Sequence, residues 1–130
     1  MTNRPAIVPY LSYVDAKAAM EFLETAFGLQ PIQAYDDSDG RLVHGEMRHG
    51  NGVIMLGSVA SAPSTGSPGI YLVVEDVDAH HTHAVGAGAE VVYPPEDTEF
   101  GTRRWRARDP EGHEWSFGTY APQTTAPDWG

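Results

Sequence analysis

The stretch DPEGHEWSFG, residues 109–118, decides the fold that the sequence predicts. Its first four residues form an acidic turn containing Pro and Gly, and an aromatic, strand-like segment follows. Alternate side chains of a strand point to opposite faces, so Trp115 and Phe117 share one face, and Glu114 and Ser116 share the other. We expect the two aromatic side chains to pack on a helix and the two polar ones to face a cavity.

The chain before this stretch contains the same order of elements twice. Each half has a predicted strand, a helix and three further strands, and the tripeptide Val-Asp-Ala recurs at 14–16 and 77–79, where each helix begins. The predicted strands are AIVPYLSYV, LQPIQAYD, RLVHGEMRH and GVIMLGS, then IYLVV, AEVVYP, FGTRRWRAR and HEWSFGTY. The predicted helices are AKAAMEFLETAF, starting at Asp15 and ending at Gly28, and EDVDAHHTHAVGAG, capped by Asp76 or Asp78.

This order predicts an α+β protein made of two βαβββ modules. We expect the first module over residues 1–59 and a linker rich in Pro, Ser and Gly over residues 60–69. The second module is expected over residues 70–120, with a C-terminal tail over residues 121–130. One helix for four strands covers one face of a sheet and leaves the other open, so the mixed sheet should form a cup around a cavity.

Composition narrows the range of partners. The 130 residues include no cysteine, so disulfides and thiolate metal sites are excluded. No apolar run is long enough to span a membrane, and the first residues lack a signal-peptide pattern, so we expect a cytoplasmic protein with no membrane contact. A net charge of −10 disfavours nucleic acid and favours cationic small molecules. Four of the eight basic residues lie in RRWRAR, residues 103–108.

Several motifs together resemble a known family. They are the Asp-Pro-Glu-Gly turn before the last strand, EFLETAFGL on the first helix and GRLVHGEMRHGNGVIML. With the repeated βαβββ order, they resemble the vicinal oxygen chelate superfamily, which contains glyoxalase I, the extradiol dioxygenases and the bleomycin and fosfomycin resistance proteins. The glyoxalase/bleomycin-resistance-like subgroup is the most similar. The resemblance implies the cupped fold and a homodimer in which the linker permits exchange of modules, but it does not fix an activity.

The resemblance also implies where a divalent metal would bind. As the motifs align, the ligand positions hold Val8, Leu56, Gly69 and Ser116. These residues supply one hydroxyl oxygen, where His and Glu side chains are needed. We therefore expect no metal cofactor, although a displaced metal site stays open as an alternative.

The predicted ligand-binding residues come from the strands of both halves. Burial of Val43 and Met47 against a helix would turn His44 and Glu46 into the cup. If Trp105 and Ala107 are buried in the same way, Arg104 and Arg106 reach the cup or its rim. The full predicted set is His44, Glu46, Arg104, Arg106, Glu114 and Ser116, and we expect Glu46 or Glu114 to pair with an arginine.

Three histidines on the second helix, His80, His81 and His83, have two interpretations. A pair three residues apart on a helix can hold a metal, but such a cluster is more often a solvated helix face.

Two functions remain open. The first is metal-free binding or sequestration of a small molecule, such as a cationic antibiotic. The alternative is a lyase, isomerase or dioxygenase of glyoxalase type, either with a displaced metal or with His44 and Glu46 as an acid–base pair. The sequence itself assigns no catalytic residue.

Overall fold

The computed structural model describes residues 7–60 and 69–122. Its eight strands form two four-stranded mixed sheets, one from each half of the chain. The strands are β1 Tyr10–Tyr13, β2 Gln30–Asp36, β3 Leu42–His49, β4 Gly52–Ser58, β5 Ile70–Val73, β6 Glu90–Asp97, β7 Arg103–Arg108 and β8 Glu114–Gly118. The strand orders are β1-β4-β3-β2 and β5-β8-β7-β6. The predicted α+β fold with two βαβββ modules is confirmed.

The pairing pattern is the same in both sheets. β1 runs parallel to β4, as β5 does to β8, and all other pairs are antiparallel. Tyr10 on β1 lies over Gly57, and Tyr71 on β5 lies over Gly118, so that a Cβ on either glycine would collide with a tyrosine hydroxyl. The equivalent contacts support the internal duplication. Most of the predicted linker and tail lies outside the described residues.

The helices begin where the sequence predicts. Helix α1 spans Ala16–Phe22 and continues as a π-helical segment, Leu23–Phe27. Asp15 caps α1 by accepting a hydrogen bond from the Ala18 amide at 3.0 Å. Gly28 ends the helix with φ 86°, a conformation that favours glycine.

Helix α2 spans Val77–Gly86. Of the two candidate caps, Asp76 is the one used, and it accepts from the Ala79 amide at 3.0 Å. Within the described residues, neither helix has the length and hydropathy of a membrane-spanning helix.

The two modules share one hydrophobic core. Trp115 and Phe117 are fully buried, as their alternation along the strand predicts. They pack against Phe27, with ring centroids 5.6 and 4.8 Å away. Phe27 belongs to the helix of the first module, so the core of the second module includes a side chain from the first. Burial of these aromatic rings supplies much of the driving force for docking the two halves.

One prediction about the first sheet is wrong. Val43 was expected to pack on the helix but is 53% exposed, and Leu42 is buried instead. The cause is an irregularity in the β2–β3 register, which sets Asp36 opposite Leu42. Beyond this point the alternation holds, and Met47 is buried as predicted.

The DPEG turn itself joins the modules through a buried carboxylate. Asp109 is only 4% exposed. Its Oδ2 accepts hydrogen bonds from the Tyr13 hydroxyl at 2.6 Å and the Trp115 indole at 3.0 Å. Its Oδ1 accepts from the backbone amides of Glu111 and His113, both at 3.1 Å. Burial, followed by the Asp109 charge, raises the pKa of Tyr13, so this hydroxyl stays protonated as a donor.

The next acidic residue of the turn binds the start of α1. The two carboxylate oxygens of Glu111 accept from the backbone amides of Val14 and Asp15, at 2.6 and 2.8 Å. These amides lie at the helix start, where the first N–H groups lack partners within the helix and a negative charge is favoured.

Two histidines make equivalent contacts in opposite directions across the module boundary. His113 Nε2 donates to the Ser12 carbonyl of β1 at 2.9 Å. His49 Nε2 donates to the Val73 carbonyl of β5 at 2.6 Å. Each module therefore contacts the first strand of the other through a histidine beside the turn of its last hairpin.

Replacing Asp109 with Asn should destabilise the fold. The amide NH₂ would face the Tyr13 and Trp115 donors, which would leave a buried group unpaired and cost about 2–4 kcal/mol in the free energy of unfolding. Urea denaturation followed by fluorescence measures this loss. Asp39→Asn, the same change in an exposed turn, is the matched control and should stay within about 0.5 kcal/mol of the parent. Equal stability of the two variants would contradict the role assigned to Asp109.

Candidate functional site

Each sheet has an open face that points away from the helices. On the first sheet this face carries His44 and Glu46, as the strand alternation predicts. His44 Nε2 donates to Glu46 Oε2 at 2.9 Å, and the Gln33 side-chain amide donates to the other carboxylate oxygen at 2.9 Å. The hydrogen bond from His44, and then that from Gln33, holds the pKa of Glu46 below its usual value. Among the residues that the structure describes, Glu46 therefore pairs with histidine and not with an arginine.

Two tyrosines flank this pair. The ring centroids of Tyr10 and Tyr35 lie 6.4 and 6.2 Å from that of His44. Strand alternation alone does not single out these tyrosines, because their closeness to His44 depends on which strands are neighbours.

The open face of the second sheet carries a row of three arginines on β7. Trp105 and Ala107 are fully buried on the other face, as the prediction required. The arginines pair with carboxylates on the neighbouring strands: Arg104 with Glu96 at 3.3 Å, Arg106 with Glu114 at 2.8 Å, and Arg108 with Glu90 at 3.0 Å and Glu114 at 3.1 Å. Glu114 thus makes the expected pairing with an arginine and is shared by two of them.

Ser116 lies at the centre of this face. It is directly opposite Arg106 on β7 and Tyr71 on β5. On the outer side, the Arg104 guanidinium lies 5.4 Å from the centroid of the Tyr93 ring, within range of a cation–π interaction. Neither tyrosine belongs to the predicted set, because the sequence does not reveal which strands are neighbours.

The six predicted residues form two groups. His44 and Glu46 lie on the first sheet, and the other four lie on the second. In residues 7–60 and 69–122, no hydrogen bond, ion pair or ring contact joins one group to the other.

A cleft of about 290 Å³ lies beside the arginine row. Aromatic side chains form much of its wall, and one of the predicted arginines borders it. The lining residues are Tyr71, Thr98, Phe100, Thr102, Arg103, Arg104 and Tyr120. A small apolar group with a polar end fits the chemistry of this lining.

A second cavity, of about 380 Å³, lies between the β3–β4 turn and β5. Its lining is mostly apolar, from residues that include Leu29, Met47, Ile54 and Leu72. It contains none of the six predicted residues.

The histidines of α2 join the two modules. His80 Nε2 donates to the Phe27 carbonyl at 3.0 Å, and His83 Nε2 bonds the Thr25 carbonyl at 2.8 Å. The Trp105 indole donates to Nδ1 of His80 at 3.1 Å, so His80 is neutral, with its proton on Nε2. Neither interpretation from the sequence describes His80, which is half-buried, whereas His83 is exposed, as a solvated helix face implies. Both bind carbonyls of the π-helical segment.

His81 packs edge-on against Trp105, at a centroid distance of 4.9 Å. Nowhere in the described part of the chain do three or more His, Asp or Glu side chains gather in an arrangement that could hold a metal ion.

A family model described as Glyoxalase/Bleomycin resistance protein/Dioxygenase superfamily matches residues 7–117. The chain belongs to this superfamily. It is 36% identical over 125 residues to an uncharacterised protein of Mycobacterium bovis, with 88% of this chain and 82% of the relative covered.

Solved structures of the superfamily show the same fold. TioX from Micromonospora sp. ML1 superimposes with a TM-score of 0.75 and 29% sequence identity, covering 88% of this chain and 97% of that one. Glyoxalase I from Zea mays gives a TM-score of 0.73 at 17% identity, covering 87% of this chain and 43% of that one, a likeness of fold alone.

The positions where the superfamily resemblance implies metal ligands do not suit a metal. Leu56 is fully buried on the helix side, so its assignment to the open face is wrong. Met55, opposite Glu46 and Tyr10, takes that place. A thioether and the Ser116 hydroxyl are poor ligands for Zn, Ni or Fe.

Acidification should weaken the contact that His80 makes between the modules. Burial, as the largest effect, lowers the pKa of His80, so the folded protein favours the neutral ring. The stability that the neutral His80 ring contributes is fully present above the ordinary histidine pKa of about 6.5. It is lost as the pH falls below that value toward the lower pKa of His80 in the folded protein. The measurement is the free energy of unfolding between pH 7.5 and pH 5, in the parent and in His80→Gln.

The parent should lose more stability over this range than His80→Gln, since the other histidines are present in both proteins. His81→Gln is the matched control and should retain the parent's pH dependence. Identical slopes for the parent and His80→Gln would contradict the prediction.

Proposed function

We propose that this protein binds a small molecule on the open faces of its sheets without a metal. The aromatic cleft of about 290 Å³ beside Arg104 carries the proposal. Tyr71 lines this cleft and also lies opposite Ser116, so the cleft borders the polar row of the second sheet. Apolar walls with a few converging polar groups are the usual composition of a ligand site.

The donor set supports a metal-free mode of binding. A catalytic metal needs about three protein ligands of His or carboxylate type. Val8, Met55, Gly69 and Ser116 would offer one hydroxyl and one thioether. The superfamily is named after resistance proteins as well as enzymes, so binding without chemistry is compatible with membership.

The two faces differ in charge, and this bears on the ligand. The net charge of −10 favours cations in general, and Glu46 with its flanking tyrosines suits a cationic group. On the second sheet each arginine of the row has a glutamate partner, so a negatively charged group would be bound by an unused N–H edge of a guanidinium and not by a surplus of charge. We therefore propose a ligand with an apolar body and polar ends, in a cytoplasmic protein without nucleic-acid or membrane partners.

Binding should depend on the second sheet. A screen of small aromatic acids and amines by two-dimensional ¹H–¹⁵N NMR should give shifts for residues around Tyr71, Arg104 and Ser116. Arg104→Ala and Glu114→Ala should weaken the affinity about tenfold, the loss expected for one charged contact. Glu24→Ala, an exposed change on the helix, is the control.

Elemental analysis of the dialysed protein accompanies this screen. It should find less than about 0.1 equivalent of Zn, Ni or Fe per chain. These are the ions that the superfamily enzymes would hold in a site of His and Glu ligands. One retained equivalent, or binding only after metal is added, would favour the metal-dependent enzyme. Shifts confined to the helices would also contradict the proposal.

We also propose that the protein is a homodimer. β2 is exposed along its whole length, and Ile32 and Tyr35 on it are exposed large hydrophobic residues. A long exposed strand of this kind is usually covered by another chain. Light scattering at micromolar concentration should therefore give twice the 14.1 kDa of one chain. A mass of one chain would refute the dimer.

A further inference from the structure

The open face of the second sheet contains an unusually close approach between Arg106 and the start of β5. A Cβ built on Gly69 would lie 2.9 Å from the Nη2 atom of Arg106. Any side chain at position 69 would therefore have to displace the guanidinium. Gly69 is also one of the positions where the superfamily resemblance implies a metal ligand. The Arg106 guanidinium therefore lies beside a position that would hold a metal ligand in the superfamily enzymes.

Glu114 determines how this guanidinium is presented. Its Oε1 accepts from Nε of Arg106 at 2.8 Å, and its Oε2 lies 3.1 Å from Nη2 of Arg108. One carboxylate thus serves two arginines, and Arg108 also pairs with Glu90, so these four side chains carry no net charge. In the part of the chain that the structure describes, the terminal nitrogens of Arg106 make no hydrogen bond.

We infer that Arg106 binds a carboxylate of the ligand through its two terminal nitrogens, in place of a metal. This rests on the proposed function, because it names the ligand class for the same open face. The planar guanidinium offers two parallel N–H donors, which match the two oxygens of a carboxylate. Because Nε is held by Glu114, the terminal edge is the one left for a ligand.

The surroundings define the remainder of the ligand. Ser116 lies opposite Arg106 and offers a hydroxyl to the same carboxylate. Tyr71, opposite Ser116 on the other side, leads to the aromatic cleft. Side chains two residues apart on one strand face lie about 7 Å from each other, so the cleft beside Arg104 lies within the length of an aromatic acid. The inferred ligand is therefore an aromatic carboxylic acid.

Benzoate and benzamide are a suitable pair of probes because they share shape and differ in charge. Titration of the full chain with benzoate, after the protein has been stripped of metal with EDTA and dialysed, should give saturable ¹H–¹⁵N NMR shifts around Arg106 and Ser116. Benzamide should bind about tenfold more weakly, because it can accept only one of the two charge-assisted hydrogen bonds. Binding by the stripped protein separates binding by arginine from binding by a metal.

Three variants localise the effect. Arg106→Gln should weaken benzoate about tenfold or more, and Arg106→Lys by about three- to tenfold, since lysine keeps the charge but loses the fork. Arg103→Gln is the matched control, because Arg103 lies on the same strand but pairs with Asp78 and Asp97, and it should change the affinity less than about twofold. If Arg106→Gln fails to fold, Arg106→Lys decides.

The outcomes separate this inference from the proposed function. Benzoate binding that is unchanged in Arg106→Lys and Arg106→Gln would overturn the inference, as would binding that is lost from the metal-stripped protein and returns when a metal is added. Failure of benzoate to bind, while other compounds shift the open faces, would refute the carboxylate and leave the proposed function intact. If no compound in the screen shifts either open face, both are refuted.

Discussion

The buried carboxylate of Asp109 is the constraint on which the relation between the two modules depends. A buried charge is costly unless hydrogen bonds compensate it, and here four donors do so. One donor, Tyr13, comes from the first strand of the chain, and another, Trp115, comes from the last. Because both must reach the same carboxylate, β1 has only one position relative to β8. The row of polar residues on β8 is thereby held in place as well.

The two faces of the second sheet therefore have different roles. Along β7 and β8, every second residue builds the common core with Phe27, and the residues between them form the polar row. The same strand geometry that buries Trp105 therefore exposes Arg104 and Arg106. A substitution on the core face would disturb both modules, whereas one on the open face changes the site alone. This is why variants such as Arg106→Lys can report on binding without reporting on folding.

The sequence predicts those parts of the structure that depend on local periodicity. Regular alternation correctly orients Glu114 and Ser116, and the helix caps follow from single residues such as Asp15. Alternation fails at Val43 because a register irregularity between strands is a pairwise property. The contact of Asp109 with Tyr13 and that of His80 with Phe27 were not predicted, because these partners lie far apart in the chain and only the tertiary fold brings them close. For the same reason the predicted site residues divide between two sheets.

The duplication explains why net charge alone is a poor guide to the ligand. By strand register, Glu46 lies opposite Met55, which is opposite Tyr10, and Arg106 lies opposite Ser116, which is opposite Tyr71. Glu46 and Arg106 thus occupy equivalent positions with opposite charges. Salt screens charges more than about 8 Å apart, so a bound group responds mainly to its nearest neighbours and little to the total of −10. The two halves share one fold, and at equivalent positions of their open faces one presents a carboxylate and the other a guanidinium.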